Sequence, residues 1–256
     1  METQSVAGIG FAAGRWPLDP SRSTLIFLHG SGGSHELWHG QVDALAERVN
    51  TVALDLPGRG LSPGSGLRTI PDCAKAVLGF VEALDAPRPI PCGLSLGSGI
   101  TLQLLLDHPD RFAAGVLIGA GARLRVLPAI LEGIQRDYEA QVQSMRLAAS
   151  PKTDPERLRP VLEANARCPA EVALGDFQAC DAFDVMERLG EIDLPVLIVS
   201  GTDDKLTPPK YADFLEKHIR RAHRVDLADA GHLSPVEQPE ALNRAVLEFL
   251  DAAGLS

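Results

Sequence analysis

Three groups of residues in this chain could together do covalent chemistry. They are a serine between glycines, a later loop with two acids, and a histidine after that loop. The serine is Ser95, in Gly93-Leu94-Ser95-Leu96-Gly97, which has the G-x-S-x-G form of a nucleophile elbow. In such an elbow a sharp strand-to-helix turn exposes the hydroxyl, and glycines flank it because side chains there would clash. Since Gly and Ser are common, a glycine-rich loop with a capping serine explains the motif alone equally well.

A serine hydroxyl is a weak nucleophile at neutral pH, so it needs a base beside it and an acid that orients the base. The sequence supplies both, in the order Ser, Asp, His. The loop 201–208 follows an apolar, strand-like run and contains Asp203 and Asp204. His232, in Ala230-Gly231-His232, follows the last strand-like run. Sites form at the carboxyl edge of a parallel sheet, and both segments are expected at that edge.

Strands and helices must position these residues. Four short, nearly continuous apolar runs are typical of strands buried on both faces of a parallel sheet. These runs lie at 24–28, 51–54, 115–118 and 195–199. The strand before the elbow, 88–92, contains two prolines and is assigned from its motif rather than from its pattern. A last strand, 223–227, alternates in hydrophobicity and is expected nearer the sheet edge.

Amphipathic stretches with apolar residues three and four apart predict helices between these strands. They cover 36–48, 71–84, 98–107, 209–219 and 239–252. Three of them have a proline at or near the first turn, where its missing N–H does no harm. Strands that alternate with helices predict an α/β fold with a mostly parallel central sheet and helices on both faces.

One long segment, residues 122–189, breaks this alternation and has no strand-like run. It is far longer than an ordinary connection between strands. We interpret it as a helical cap inserted over the site, with residues 1–121 and 190–256 as the core domain. Ordinary helical packing at the sheet edge is the alternative. Within the segment, Phe177, Cys180 and Phe183 recur at three-residue spacing, which an apolar face turned to the pocket or to the core would produce.

Composition and charge exclude several classes of function. The 256 residues are 45% hydrophobic and 23% charged, as in an ordinary soluble domain. The net charge of −10, without a basic stripe, argues against nucleic-acid binding. The four cysteines lack metal-ligand spacing and indicate buried free thiols in a reducing compartment. No signal peptide or transmembrane run is recognisable, so a cytoplasmic protein without membrane contact is expected. No dinucleotide, Walker or zinc pattern is present, so no cofactor or metal is expected.

Four motifs together make the chain resemble the α/β-hydrolase superfamily over nearly its whole length. In chain order they are His29-Gly30-Ser31-Gly32-Gly33, the elbow at Ser95, the loop 201–208 and Gly231-His232. The resemblance implies an α/β-hydrolase fold with a helical cap and a catalytic triad of Ser95, Asp204 and His232. Asp204 is preferred to Asp203 because, in proteins with this loop pattern, the acid stands third after the glycine and four before the proline.

The resemblance also implies which groups bind the substrate. The turn at Gly30 and Ser31 resembles the family's oxyanion loop, and the two donors are expected to be the backbone N–H groups of Ser31 and Leu96. A flexible turn without a role is the alternative. Trp38 and Phe177 are candidates for the pocket wall, with core packing as the alternative for each.

These expectations favour hydrolysis of small-molecule carboxylic esters of small to medium acyl chain, by a monomer or homodimer. Serine at position 95 argues against haloalkane dehalogenases and epoxide hydrolases, which have aspartate there. The same scaffold also resembles C–C bond hydrolases, lactonases, thioesterases and aminopeptidases, and some proteins with an intact triad are slow-turnover ligand receptors. Arg123 and Arg125 could contact a substrate carboxylate, although exposure to solvent is the favoured interpretation.

Overall fold

The centre of the structure, a computed structural model that describes all of residues 1–256, is an eight-stranded sheet. Its strands are β1 Glu2–Val6, β2 Ile9–Ala13, β3 Thr24–Leu28, β4 Asn50–Leu54, β5 Pro89–Leu94, β6 Gly115–Ile118, β7 Val196–Gly201 and β8 Ala222–Leu227. Their spatial order is β1-β2-β4-β3-β5-β6-β7-β8. All pairings among β3 to β8 are parallel, and β1 and β2 pair antiparallel. The predicted α/β class with a mostly parallel sheet is confirmed.

The hydrophobic pattern of each strand follows its place in this sheet. β3, β4, β6 and β7 bury every residue, because neighbouring strands and helices enclose them on all sides. β8 is mostly half-buried or exposed and lies at the edge of the sheet, where its sequence pattern placed it. The antiparallel hairpin of β1 and β2 was not predicted. Its two-residue turn, Ala7-Gly8, has positive φ at both positions, but β1 is too polar to show a strand pattern.

Ten α-helices surround the sheet. They are α1 His39–Leu45, α2 Ile70–Leu84, α3 Leu96–Asp107, α4 Pro128–Arg136, α5 Tyr138–Ser144, α6 Pro155–Ala166, α7 Ala170–Ala182, α8 Pro209–His218, α9 Ser234–Glu237 and α10 Pro239–Ala253. The helix expected at 36–48 is instead a 3₁₀ turn, His35–Trp38, followed by the short α1. No helix has both the length and the apolar character needed to cross a bilayer.

Two apolar cores lie on opposite faces of the sheet. Alternate residues of β3 point to each, with Ile26 and Leu28 on the face covered by α2 and α3, and Leu25 and Phe27 on the face covered by α1 and α10. This two-residue period is the geometry of a strand packed on both sides. Because β3 to β8 all pair parallel, the loops that follow β3, β5, β6, β7 and β8 lie at one edge of the sheet.

The segment between β6 and β7 contains α4 to α7 and no strand. Its two ends are joined to each other, since the Val185 N–H donates to the carbonyl oxygen of Ala122 at 2.8 Å. Arg123 and Asp184 form an isolated antiparallel bridge at the same place. The helices therefore leave and re-enter the core through adjacent positions, above the carboxyl edge of the sheet.

Candidate active site

Ser95 occupies the turn between β5 and α3, with φ of 55° and ψ of −112°. A non-glycine residue with positive φ is strained and persists only where the surroundings hold it. A Cβ on Gly93 would lie 2.0 Å from the carbonyl oxygen of Gly97, and a Cβ on Gly97 would lie 2.1 Å from that of Leu28. Both flanking positions therefore need glycine, because backbone atoms already fill the space where a side chain would start.

Hydrogen bonds hold the strained turn from both sides. The Ser95 N–H donates to the carbonyl oxygen of Ile118 in β6 at 3.1 Å. The Ser95 carbonyl oxygen accepts the Ser98 hydroxyl at 2.6 Å, within the first turn of α3. The main chain of Ser95 is thus fixed between a neighbouring strand and the start of a helix, as a nucleophile elbow requires.

His232 lies on the loop after β8, and its Nδ1 is 2.8 Å from Oδ2 of Asp204, on the loop after β7. A carboxylate at Nδ1 favours the tautomer that carries its proton there, which leaves Nε2 free to act as a base. The main chain of His232 is held as well, since its N–H donates to the carbonyl oxygen of Ala148 at 2.8 Å. Behind the ring is Gly119, where a Cβ would approach His232 Nδ1 to 3.2 Å.

The two acids of the β7 loop have different surroundings. The Asp204 side chain is fully buried against His232. The Asp203 carboxylate instead accepts the hydroxyl of Ser150 at 2.5 Å, and its exposure is intermediate. The structure thus brings Asp204, and not its neighbour, to the histidine.

The Asp204 carboxylate is unusually well supplied with donors. Burial works to raise its pKa, but the charge of His232 and hydrogen bonds from His232 and Thr207 outweigh burial, so the pKa lies below its ordinary value. Its donors include the backbone N–H groups of Leu206 and Thr207, at 2.8 and 2.9 Å, and the Thr207 hydroxyl, at 2.7 Å. The Thr207 oxygen is also 3.2 Å from His232 Nδ1. Asp204 is therefore held as an anion beside the imidazole. Sequence analysis did not assign Thr207 a role.

The loop after β3 lies next to the serine, since a Cβ on Gly30 would be 3.6 Å from Ser95 Cβ. The Ser31 N–H has no backbone or side-chain acceptor within the protein. Leu96 is the first residue of α3, where a backbone N–H has no partner four residues back in the helix. Ser31 and Leu96 thus present two unengaged donors beside Ser95, which is the chemistry that an oxyanion needs.

His29 holds this loop in place rather than acting as a base. Leu56 donates its N–H to Nε2 at 3.1 Å, so the proton sits on Nδ1, which donates to the carbonyl oxygen of Gly30 at 2.8 Å. Burial, aided by the charge of Arg59, lowers the pKa of His29 to about 4. With both ring nitrogens engaged and the ring neutral at pH 7, His29 serves as a rigid support.

A buried ion pair joins the helical segment to the same loop. Arg59 Nη2 is 2.7 Å from Asp176 Oδ1, and the two side chains are 1% and 0% exposed. The other Asp176 oxygen accepts the N–H of Gly32 at 2.9 Å, where φ is 67°. Asp176 of α7 therefore fixes the residue directly after Ser31. Neither Asp176 nor Arg59 was predicted, because no spacing in the sequence connects two charges 117 positions apart.

Ser95 and His232 line a cavity of about 350 Å³ at the carboxyl edge of the sheet. Its walls come from the loops after β6 and β7, the starts of α4 and α8 that follow them, and helix α7, which contributes Phe177 and Cys180. A smaller chamber of about 50 Å³ adjoins it and shares Ser31, Ser95, Phe177 and His232. Gly30 lines this smaller chamber. Ser95 thus lies where two chambers of unequal size meet.

Trp38 lines neither chamber, so the expectation that it forms part of the pocket wall is wrong. Its side chain is fully buried, and its ring lies 4.9 Å from that of Phe27 in the core on the α1 face. The physical reason is the 3₁₀ turn before α1, which directs the indole against β3 rather than over the sheet edge.

Cys180 is the other nucleophile type in the cavity, with its sulfur 3.6 Å from the Ser31 hydroxyl oxygen. Burial raises its pKa to about 12, and the nearby charge of Asp176 adds to the effect. The thiol therefore stays protonated at neutral pH and does not compete with a serine as a nucleophile. All four cysteines are buried and free. No group of three or more His, Cys, Asp or Glu side chains is arranged to hold a metal ion.

Comparison with known proteins gives consistent matches over nearly the full chain. The model of a family described as alpha/beta hydrolase fold matches residues 23–239. A pimeloyl-acyl-carrier-protein methyl ester esterase of Neisseria meningitidis is 28% identical over 243 residues, covering 89% of this chain and 93% of that protein. The structure of an enol-lactonase from Burkholderia xenovorans superposes with a TM-score of 0.86 at 25% identity, covering 98% and 100% of the two chains. A thermophilic esterase superposes with a TM-score of 0.83 at 31% identity, covering 100% and 98%.

Proposed function

The chain belongs to the α/β-hydrolase family, and from that premise we propose that it is a serine hydrolase that cleaves carboxylic esters through an acyl-enzyme on Ser95. The observation that carries the proposal is the hydrogen bond from His232 to the buried Asp204, in a cavity that Ser95 also lines. A histidine that is oriented by an anion and shares a cavity with a half-buried serine has the parts needed to activate a hydroxyl nucleophile.

In the proposed reaction, His232 Nε2 takes the Ser95 proton as the serine oxygen attacks the ester carbonyl. Asp204 keeps the imidazole in the required tautomer and stabilises the imidazolium that forms. The imidazolium then protonates the leaving alcohol, and the acyl group remains on Ser95. A water molecule, deprotonated by His232, then attacks the acyl-enzyme. The bond between the acyl carbon and Ser95 Oγ breaks, the acid leaves, and the imidazolium returns the proton to Ser95 Oγ. The alkoxide-like charge of each tetrahedral intermediate is bound by the N–H groups of Ser31 and Leu96.

The two chambers support a substrate of modest size. A cavity of about 350 Å³ is at the lower end of the range that small ligands occupy. The adjoining 50 Å³ has room for only a few heavy atoms. An ester with one larger and one small substituent fits this division. We propose that residues 122–189 act as the cap, because Phe177 and Cys180 of α7 close the cavity over the serine.

Lactone hydrolysis is a second candidate, and one comparison favours it. The enol-lactonase from Burkholderia xenovorans matches over the whole chain at 25% identity. A lactone is a cyclic ester, so the same attack by Ser95 opens it, and the leaving alcohol stays attached to the acyl group. The two candidates therefore differ in the shape of the substrate and not in the roles of the residues.

The test is steady-state hydrolysis of p-nitrophenyl acetate and hexanoate by wild type, Ser95→Ala and a control serine variant, Ser65→Ala. Ser65 is exposed and lines neither chamber, so its loss leaves turnover unchanged. Ser95→Ala lowers kcat by at least about a thousandfold, as for other triads that lose one member. Retention of more than about a tenth of the activity in Ser95→Ala would contradict the proposal.

A further inference from the structure

The cavity that holds Ser95 has a charge opposite to that of the chain as a whole. The chain carries 34 acidic and 24 basic residues, for a net charge of −10. Of the 17 residues that line the cavity, four are Lys or Arg and none is Asp or Glu. These four cations are Arg123 and Arg125, after β6, and Lys205 and Lys210, after β7. All four are exposed; Arg123, Arg125 and Lys205 lie on loops, and Lys210 lies in the first turn of α8.

Most of this positive charge is not neutralised by the protein. Arg123 alone has a carboxylate partner, Asp184 at 3.5 Å, and both side chains are more than 40% exposed, so the pair is weak. Arg125 Nη1 donates to the main-chain oxygen of Asp181 at 2.8 Å, which positions the guanidinium without cancelling its charge. Lys205 and Lys210 form no salt bridge.

Apolar side chains line the same cavity as the cations and the serine. Leu124, Val126, Ile130 and Phe177 line the cavity, and Leu206 lies beside Lys205 at its mouth. Such a cavity suits a molecule with an apolar stem and an anionic end, because the stem replaces water on the wall while the anion meets the cations. A positively charged cleft also concentrates anions and speeds their entry.

We infer that the substrates are esters or lactones with a second, free carboxylate at the far end of the acyl chain, held by Arg125, Lys205 and Lys210 at the cavity mouth. The inference rests on the proposed function, since the scissile carbonyl must reach Ser95. A guanidinium with free donors binds a carboxylate through two parallel hydrogen bonds, and a lysine adds a point charge. The occupant is a small molecule, because the cations line the cavity itself rather than a separate outer face.

The matched substrates are monomethyl adipate and methyl hexanoate, which have the same number of acyl carbons and differ by carboxylate against methyl at the end. Their small alcohol suits the smaller chamber. Wild type favours the adipate in kcat/KM by about tenfold or more, the effect of one charged hydrogen bond at a partly exposed site. The preference shrinks in about 0.5 M NaCl, because salt screens exposed charges. If an ester binds but is not cleaved, the affinities of the two esters are compared instead, as inhibition constants against hydrolysis of p-nitrophenyl acetate.

The variants are Arg125→Gln and Lys210→Gln, each expected to lower the adipate-to-hexanoate ratio by about fivefold to tenfold. The controls are Arg136→Gln and Lys217→Gln, exposed cations of α4 and α8 that do not line the cavity; both leave the ratio at the wild-type value. A wild-type ratio near one, or a ratio that the cavity variants do not change, would overturn the inference while Ser95-dependent hydrolysis still supports the proposed function. Hydrolysis that survives Ser95→Ala would overturn the proposed function instead.

Discussion

Two fully buried carboxylates support the active-site region, Asp204 on the loop after β7 and Asp176 on α7. Each has a cationic or titratable partner, His232 at 2.8 Å and Arg59 at 2.7 Å. Their pKa values nevertheless move in opposite directions. The pKa of Asp204 lies below its ordinary value, whereas burial raises the pKa of Asp176 to about 6 although Arg59 opposes it.

Burial is the largest influence on both pKa values, and the hydrogen bonds that help to oppose it differ in number. Asp204 accepts three hydrogen bonds from Leu206 and Thr207 besides its contact with His232. Asp176 accepts only two, from Arg59 and from the N–H of Gly32. Hydrogen bonds to the charged form replace the lost hydration, and a cation alone does not. The Arg59 guanidinium is itself incompletely satisfied, since its Nε and Nη1 are buried without a partner. The surroundings of Asp204 therefore stabilise its charged form, whereas Asp176 positions the loop after β3 through Gly32.

The sharpest contrast is in catalysis. Asp204→Asn removes the anion that fixes and stabilises the histidine, and we expect kcat on p-nitrophenyl acetate to fall by about 10³–10⁴-fold, as when a triad acid is replaced by its amide. Asp203→Asn is the matched control, since its carboxylate bonds to Ser150 and does not contact His232. It should change kcat by less than about threefold. Equal losses in the two variants would remove the distinction between these adjacent acids.

The next largest effect is on stability. Asp176→Leu leaves Arg59 charged, buried and unpaired, so we expect the free energy of unfolding to fall by about 3–5 kcal/mol. Glu171→Leu, an exposed position on the same helix, should change it by less than about 1 kcal/mol. The double variant Asp176→Leu/Arg59→Met should recover much of the loss, because an apolar pair needs no hydration. Urea unfolding measures all three. The buried pair would have no structural role if Asp176→Leu unfolded at the wild-type urea concentration.

The smallest expected effect is in the pH dependence of stability, where the two acids should give opposite slopes. Asp176 has a pKa near 6 folded and 3.8 unfolded, so between these values the folded state binds more protons and its stability falls as pH rises. Asp204 has a folded pKa below 3.8, so its contribution is present above that pH and is lost as pH falls further.

Unfolding free energies of wild type, Asp176→Asn and Asp204→Asn, from about pH 3 to about pH 7, separate the two slopes. As pH rises from about 4 to about 6, the unfolding free energy of wild type should fall by about 1–3 kcal/mol relative to that of Asp176→Asn. As pH falls below about 4, the unfolding free energy of wild type should fall relative to that of Asp204→Asn, and above that pH the difference should stay constant. Slopes of the same sign for both acids would show that donor number does not control these pKa values.

The same contrast explains what the sequence could predict. The supports of Asp204 are local, since Leu206 and Thr207 are two and three positions away, and the strand and loop pattern places the whole group at the sheet edge. The buried parallel strands were predictable for the same reason, because their apolar runs are continuous. The elbow motif and the order Ser, Asp, His offered Ser95 and His232 as candidates, and the resemblance of four motifs in order then implied the triad and the preference for Asp204 over Asp203.

Features that depend on distant partners were beyond such reasoning. Asp176 accepts a hydrogen bond from Gly32, which is 144 positions away in the sequence, and no local sequence pattern predicts that contact. Trp38 is apolar and close to the oxyanion loop in sequence, but only the fold decides that its ring packs on Phe27. The hairpin of β1 and β2 was missed because β1 is mostly exposed and polar, so burial left no pattern in it. Arg125 could be named as a candidate, but not placed at the cavity mouth.

The most direct test of the central claim is to trap the acyl-enzyme. Wild type mixed with p-nitrophenyl acetate, quenched in acid within the first turnovers and digested, is analysed by mass spectrometry for acetylated peptides. We predict one acetyl group on the peptide that contains Ser95, with its yield greatly reduced in Asp204→Asn and unchanged in Asp203→Asn. Acetylation of another residue, such as Cys180, in step with product release, or turnover with no acetyl group on Ser95, would contradict the account.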